Sequence, residues 1–107
     1  MFYGIFGSAD DIAYEFGIPR DQLDNINIVV AWYDYEDYEG EAFVLFECDS
    51  KFYEVHGGHC SCMGLEDQWE PELSSTEALQ RATEHNYGWW TRLPEEGRQL
   101  VLAVLNQ

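Results

Sequence analysis

Two histidines and two cysteines stand within seven residues of one another, and these are the side chains whose types and spacing could do chemistry. They are His56, His59, Cys60 and Cys62. Imidazole and thiolate are ligands that zinc favours, and a structural zinc site uses four ligands in a tetrahedron. The spacing differs from paired C-x2-C motifs, because the adjacent His59 and Cys60 tend to point apart. The first interpretation is therefore a cluster without a cofactor, in which the cysteines pack as small apolar side chains, and the alternative is a zinc site.

The same cluster could supply a cysteine nucleophile. Cys60 or Cys62 would be activated by a nearby histidine, since a neighbouring imidazole raises the thiolate fraction. The surrounding negative charge acts in the opposite direction, because it disfavours a second anion. No C-G-S-C-W signature is present either. A cysteine-dependent enzyme is therefore the third hypothesis, and we expect a protein that is not an enzyme.

A second group of candidate residues combines aromatic rings with carboxylates. Tyr and Trp supply much of the binding energy at protein interfaces, while carboxylates engage Arg or Lys of a partner. The alternative is a strand end and hairpin loop whose tyrosines cover the sheet edge while the acids face water. As a binding surface, the predicted residues are Tyr33, Asp34, Tyr35, Glu36, Asp37, Tyr38, Glu39, Glu41 and Trp69.

The charge of the chain limits its partners. Twenty-one acidic residues against five Lys and Arg give a formal net charge of -16. Direct nucleic-acid binding is disfavoured, because the neutralisation of phosphates requires Lys and Arg. The acidity provides solubility in one interpretation. In the other it is a decoy that occupies the basic groove of a nucleic-acid-binding protein, and the predicted partner is then a host protein with a basic surface.

Length and terminal composition predict one domain in the cytoplasm. A chain of 107 residues fits a single domain over 1–107. The first residues lack the basic region and the long apolar run of a signal peptide or a membrane span, so we expect no membrane partner. Three cysteines leave one thiol unpaired in a monomer, which argues against a secreted disulfide framework.

Capping signals and hydrophobic periodicity predict the elements that must position these residues. Alternating apolar residues indicate strands, and capped segments indicate helices. The pattern predicts a helix over 9–16, strands over 26–33, 42–48 and 51–56, a helix over 75–85 and a last helix that opens at Pro94. This order predicts an α+β fold, with a three-stranded antiparallel sheet (a meander), a short N-terminal helix and two C-terminal helices.

The hairpin register predicts which candidate residues meet. If Cys48 faces Lys51, residues 56–60 lie beside residues 37–42, so the histidines and the acidic loop share one edge of the sheet. Cys48 itself lies at the turn, roughly 17 Å from His56 at the rise of a strand, and cannot join the cluster. The face of the hairpin that carries Phe43 and His56 is mixed in polarity, which permits partial cover, a contact surface or a homodimer.

The segment from Phe52 to Glu72, FYEVHGGHCSCMGLEDQWEPE, carries a distinctive pattern. It resembles a family of small uncharacterised proteins encoded by tailed bacteriophages, in which a hairpin precedes a similar H-C-S-C-[YF]-G-L-E-x-Q-W-E-P-E stretch. The resemblance covers residues 33–79, and Met63 stands where the family has an aromatic residue. It implies a phage origin and the cytoplasm of a host cell, and it transfers no catalytic residue. Together with the acidity, it predicts a protein that binds and inhibits a host nucleic-acid-handling or defence protein.

Overall fold

A mixed five-stranded sheet forms the centre of the protein. The structure is a computed structural model that describes residues 2–36, 39–59, 64–85 and 93–106. The strands are β1 (Phe2–Gly4), β2 (Asn27–Glu36), β3 (Glu39–Cys48), β4 (Lys51–His59) and β5 (Glu72–Ser74), and they follow one another across the sheet in this order. The helices are α1 (Ala9–Phe16), α2 (Thr76–His85) and α3 (Glu95–Leu105), with a 3₁₀ helix over Arg20–Leu23.

The α+β class and the positions of the three helices agree with the sequence prediction, but the predicted three-stranded antiparallel sheet is wrong in two respects. It lacked β1 and β5, and β1 pairs with β2 in parallel, so that Phe2 lies opposite Ala31. The remaining neighbours are antiparallel. Each missed strand has three residues, which is too short for the alternation of apolar residues that identifies a strand in a sequence.

The predicted register of the β3–β4 hairpin is confirmed. Cys48 lies opposite Lys51, and Ala42 lies opposite Gly57. The two turn residues, Asp49 and Ser50, have φ angles of 53° and 66°. Positive φ at both central residues is the geometry of a type I′ turn, whose twist matches the twist of the paired strands.

Both faces of the sheet are covered. One face packs against α1, and we call it the α1 face; its buried residues include Tyr33, Val44 and Val55. The other face, the α2/α3 face, contributes Phe43 and Leu45 to a second core with the two C-terminal helices. The mixed face of the hairpin is therefore covered by helices, because its apolar positions are buried beneath them.

The segment over 64–71 crosses the α1 face and explains much of the distinctive pattern. Leu65 is fully buried and fits above Gly57, where a Cβ atom would lie 3.0 Å from the leucine Cδ2 and 3.3 Å from Phe16. Trp69 stacks on Phe46, with ring centroids 5.9 Å apart, and meets the Phe16 ring edge-on at 5.1 Å. The segment is thus fixed by packing.

Gln68 completes this attachment by taking the place of a neighbouring strand. The Gly58 N–H donates to the Gln68 Oε1 at 2.8 Å, and the Gln68 Nε2 donates back to the Gly58 carbonyl at 2.7 Å and to the Gly64 carbonyl at 2.7 Å. β5 pairs with β4 only over 52–54. The side-chain amide therefore satisfies backbone groups of β4 that lie beyond the reach of β5.

Candidate interaction surface

The structure separates the two histidines of the predicted metal cluster. His56 lies on the α2/α3 face, where its ring centroid is 5.2 Å from that of Phe43. His59 is three residues further along β4 and lies on the α1 face, with its centroid 6.4 Å from that of Tyr33. Side chains alternate between the faces of a strand, so an odd separation sends the two imidazoles to opposite sides. This contradicts a single metal site that uses both histidines.

The cysteines of that cluster, Cys60 and Cys62, lie outside the described residues. Cys48 is a free, half-buried thiol at the hairpin turn. It lies opposite Lys51, which is five residues from His56 along β4, as the predicted register requires. Within residues 2–36, 39–59, 64–85 and 93–106, no group of three or more His, Cys, Asp or Glu side chains could hold a metal ion.

A hydrogen-bonded chain of three polar side chains joins β4 to β5. The Ser74 hydroxyl donates to Oε2 of Glu54, and the other carboxylate oxygen lies 3.4 Å from Nε2 of His56. Burial raises the pKa of Glu54, but the bonds from His56 and Ser74 outweigh burial and leave that pKa below its ordinary value. Glu54 is therefore a weak base. A catalytic triad places the imidazole next to the serine, whereas here the carboxylate separates the two. These hydrogen bonds therefore attach β5 to the sheet.

The predicted binding residues divide into three groups. Tyr33 is 1% exposed and belongs to the core, so its prediction as a surface anchor is wrong; an inward position in β2 places its ring under α1. Trp69 is half-buried and mostly engaged in the stacking already described. Asp34 is exposed and lies directly opposite the half-buried Glu41. The backbones of the remaining strand residues pair as Tyr35 with Gly40 and Glu36 with Glu39, and Asp37 and Tyr38 lie outside the described residues.

The predicted meeting of the histidine segment and the acidic strand ends is confirmed for the described residues. His59 pairs with Gly40, and Gly58 pairs with Glu41. Asp34 and Glu41 lie directly opposite each other at this end of the sheet, and like charges in that position repel.

The layer that covers the α1 face carries many carboxylates, and the sequence interpretation did not identify it as a surface. We call residues 9–24 and 64–70 the α1 layer. It carries eight carboxylates and one arginine, and every one of these carboxylates is exposed or half-buried. They are Asp10, Asp11, Glu15, Asp21, Asp24, Glu66, Asp67 and Glu70.

The opposite layer is much less acidic. Residues 76–85 and 93–106, which we call the α2/α3 layer, carry four carboxylates and two arginines. Arg98 in that layer donates to Glu95 at 2.9 Å and to the Thr83 carbonyl at 2.8 Å. The two layers flank one sheet, so the protein has a strongly acidic side and a weakly acidic side. Only the fold reveals this asymmetry, because the two halves of the α1 layer are about forty residues apart in the sequence.

The halves of the α1 layer form one surface. A Cβ atom on Gly17, which ends α1 with a φ of +68°, would lie 3.3 Å from Cγ of Glu66. Burial raises the pKa of Glu15, and the neighbouring carboxylates of Glu66 and Asp11 raise it further, while His59 lowers it. Carboxylates from two separate segments therefore act on each other across this surface.

The single arginine of the α1 layer is engaged within the layer. This residue is Arg20, whose Nε lies 2.6 Å from Asp10 and whose Nη1 lies 3.1 Å from Asp24. Tyr14, which is 81% exposed, stands on α1 among these acids. The sequence could have indicated the exposure of Tyr14, because this aromatic residue lies on the outer face of the predicted helix, three residues after Asp11.

Comparison with protein-family models, with curated proteins and with solved structures finds no match to this chain. No helix of the described residues is long and apolar enough to span a bilayer.

Proposed function

We propose that this chain is a small acidic binding protein that uses the α1 layer to engage a partner with a positively charged surface. The observation that carries the proposal is the asymmetry of charge, with eight carboxylates and one arginine on one side of the sheet and four carboxylates and two arginines on the other. Solubility alone requires a high net charge but no preferred side. A one-sided distribution steers a partner of opposite charge towards one surface.

The exposed chemistry of the α1 layer suits such an interface. Its carboxylates are available to Lys and Arg of a partner, and Tyr14 offers an exposed ring on which a guanidinium can stack. Burial raises the pKa of Glu15 most, and the carboxylates of Glu66 and Asp11 raise it further, so both of them repel the Glu15 carboxylate. A cationic partner would relieve that repulsion, so part of the binding energy comes from a cost already present in the free protein.

The partner we favour is a host protein that handles nucleic acid or takes part in defence against phage. Such a protein presents a groove of Lys and Arg to phosphates, and a dense acidic surface competes for that groove by the same long-range attraction. In this proposal the chain acts in the cytoplasm of the host cell as a non-enzymatic inhibitor of phage origin, and it mimics the charge of nucleic acid.

The experiment compares two variants that lose the same number of charges. One variant neutralises three exposed acids of the α1 layer, and its matched control neutralises three exposed acids of the α2/α3 layer. The first carries Asp21→Asn, Glu66→Gln and Asp67→Asn, and the control carries Glu84→Gln, Glu95→Gln and Glu96→Gln. The partner is recovered from bacterial lysate at low salt, identified and purified, and its Kd for each variant is measured with and without competing duplex DNA.

We expect the α1-layer variant to bind about ten-fold more weakly, since three exposed ion pairs contribute about 1.5 kcal/mol in total. The control should bind nearly as the unmodified protein does, and duplex DNA should displace both from the partner. Equal weakening in the two variants would show that only net charge matters and would refute the assigned surface. Recovery of no basic DNA- or RNA-binding protein at low salt would count against the function itself.

A further inference from the structure

β5 lies at an edge of the sheet and carries an exposed apolar side chain. It is the last strand in the sheet order, so among the described residues it has a neighbouring strand on one side only. Leu73, in the middle of β5, is 64% exposed. Exposed edge strands offer unpaired backbone groups to a further strand, and many proteins protect them with charge or cover them. β5 is short and begins with the exposed Glu72, so its charge protects the edge from a like-charged chain, while Leu73 leaves an apolar contact open.

A groove of about 670 Å³ runs along this edge. It lies between the start of β4 and the start of α2, and its lining includes Phe52, Leu73 and Ala78 as apolar contacts. Leu73 pairs with Tyr53, whose ring stacks on Phe46 with centroids 5.3 Å apart. Leu73 is therefore paired with a residue whose ring is held against the sheet.

The charges beside the groove select the occupant. Glu72 in β5 and Glu77 in the groove lining are both exposed. They outnumber Lys51, the cation in the groove lining. A second copy of this chain would bring its own net charge of -16 to the edge, and the repulsion disfavours it. A segment with Lys or Arg on either side of an apolar residue meets both the carboxylates and Leu73.

We propose that β5 and its groove bind an extended basic segment of the partner, which adds to the sheet beside β5 and packs an apolar side chain on Leu73. Backbone hydrogen bonds would provide affinity in this mode, and the alternate side chains would provide selectivity. The proposal rests on the proposed function, because it assigns the place where the positively charged partner gains specific contacts in addition to general attraction to the α1 layer.

The test uses two hexapeptides of equal charge, one that alternates lysine with valine and one that alternates lysine with serine. Binding to the full chain at low salt is followed by two-dimensional NMR of the backbone amides. The variant Leu73→Ser removes the apolar contact, and Ile5→Ser is its control, because both are exposed aliphatic side chains and Ile5 belongs to neither proposed surface. Circular dichroism of each variant confirms that the fold is retained.

The valine peptide should bind about ten-fold more tightly than the serine peptide, the effect of burying roughly one valine side chain. Its amide shifts should map to residues 52–54 and 72–78. Leu73→Ser should remove the ten-fold difference, and Ile5→Ser should preserve it. Equal affinities, with shifts confined to residues 9–24 and 64–70, would overturn the β5 site and leave the acidic surface in place. Failure of both peptides to bind at low salt would overturn the acidic surface as well.

Discussion

Replacement of Gln68 by alanine should test whether one side-chain amide fastens the 64–71 segment to the sheet. The substitution removes three hydrogen bonds of 2.7 to 2.8 Å, two to the backbone of Gly58 and one to the Gly64 carbonyl. The two bonds to Gly58 are exposed and contribute about 0.5 kcal/mol each, while the half-buried third contributes about 1 kcal/mol. The free energy of unfolding should fall by about 2 kcal/mol, and Tm by about 10 °C.

Gln68→Glu separates hydrogen bonding from packing in the same experiment. The glutamate has nearly the same shape and can still accept from the Gly58 N–H, but at neutral pH it cannot donate to either carbonyl oxygen. Its second carboxylate oxygen would face the carbonyl oxygens of Gly58 and Gly64, and this repulsion should make it destabilise at least as much as alanine does. Urea unfolding followed by tryptophan fluorescence gives both free energies, and amide exchange at Gly58 reports the local contact. A Gln68→Glu protein as stable as the unmodified chain would refute the reasoning, because shape alone would then account for the residue.

Two further perturbations test the packing and the charge of the α1 layer. Gly57→Ala should destabilise by about 1–3 kcal/mol, because the new methyl group would press on the packed leucine and phenylalanine above it; Gly58→Ala, where no atom lies within 4 Å, should be neutral or stabilise by up to about 1 kcal/mol. If Gly57→Ala and Gly58→Ala changed the thermal stability equally, the close packing assigned to Gly57 would be wrong. Glu15→Gln should stabilise by about 0.5 kcal/mol near pH 7 and have no effect near pH 4, since a raised pKa in the folded state makes ionisation costly only above the ordinary pKa of 4.5. Melting curves at the two pH values check the sign, and destabilisation by this substitution at pH 7 would be the contrary result.

The distinctive segment is now accounted for largely by structure. Leu65 fills the space above a glycine, Gln68 pairs with a strand, Trp69 covers Phe46, and Glu72 begins β5. Each of these four residues of the pattern therefore has a structural role. The binding residues that we propose are therefore the carboxylates of this segment and of α1 rather than the histidines.

Local signals were sufficient for much of the fold. Gly17 predicted the end of α1, and the structure places it there in the left-handed conformation. The Asp49–Ser50 turn predicted the β3–β4 register, and with it the meeting of His59 and Gly40. These features depend on residues close together in the chain, where turn chemistry and side-chain alternation act directly.

The distribution of charge and the fate of the candidate residues depended on contacts between distant segments. The sequence by itself determined the net charge of -16, the helices and the central hairpin. Only the tertiary structure placed Tyr33 in the core, sent His56 and His59 to opposite faces, and joined residues 9–24 with 64–70 into one acidic layer. The physical reason is that periodicity tells which residues share a face, whereas the choice of which helix covers that face is made by packing.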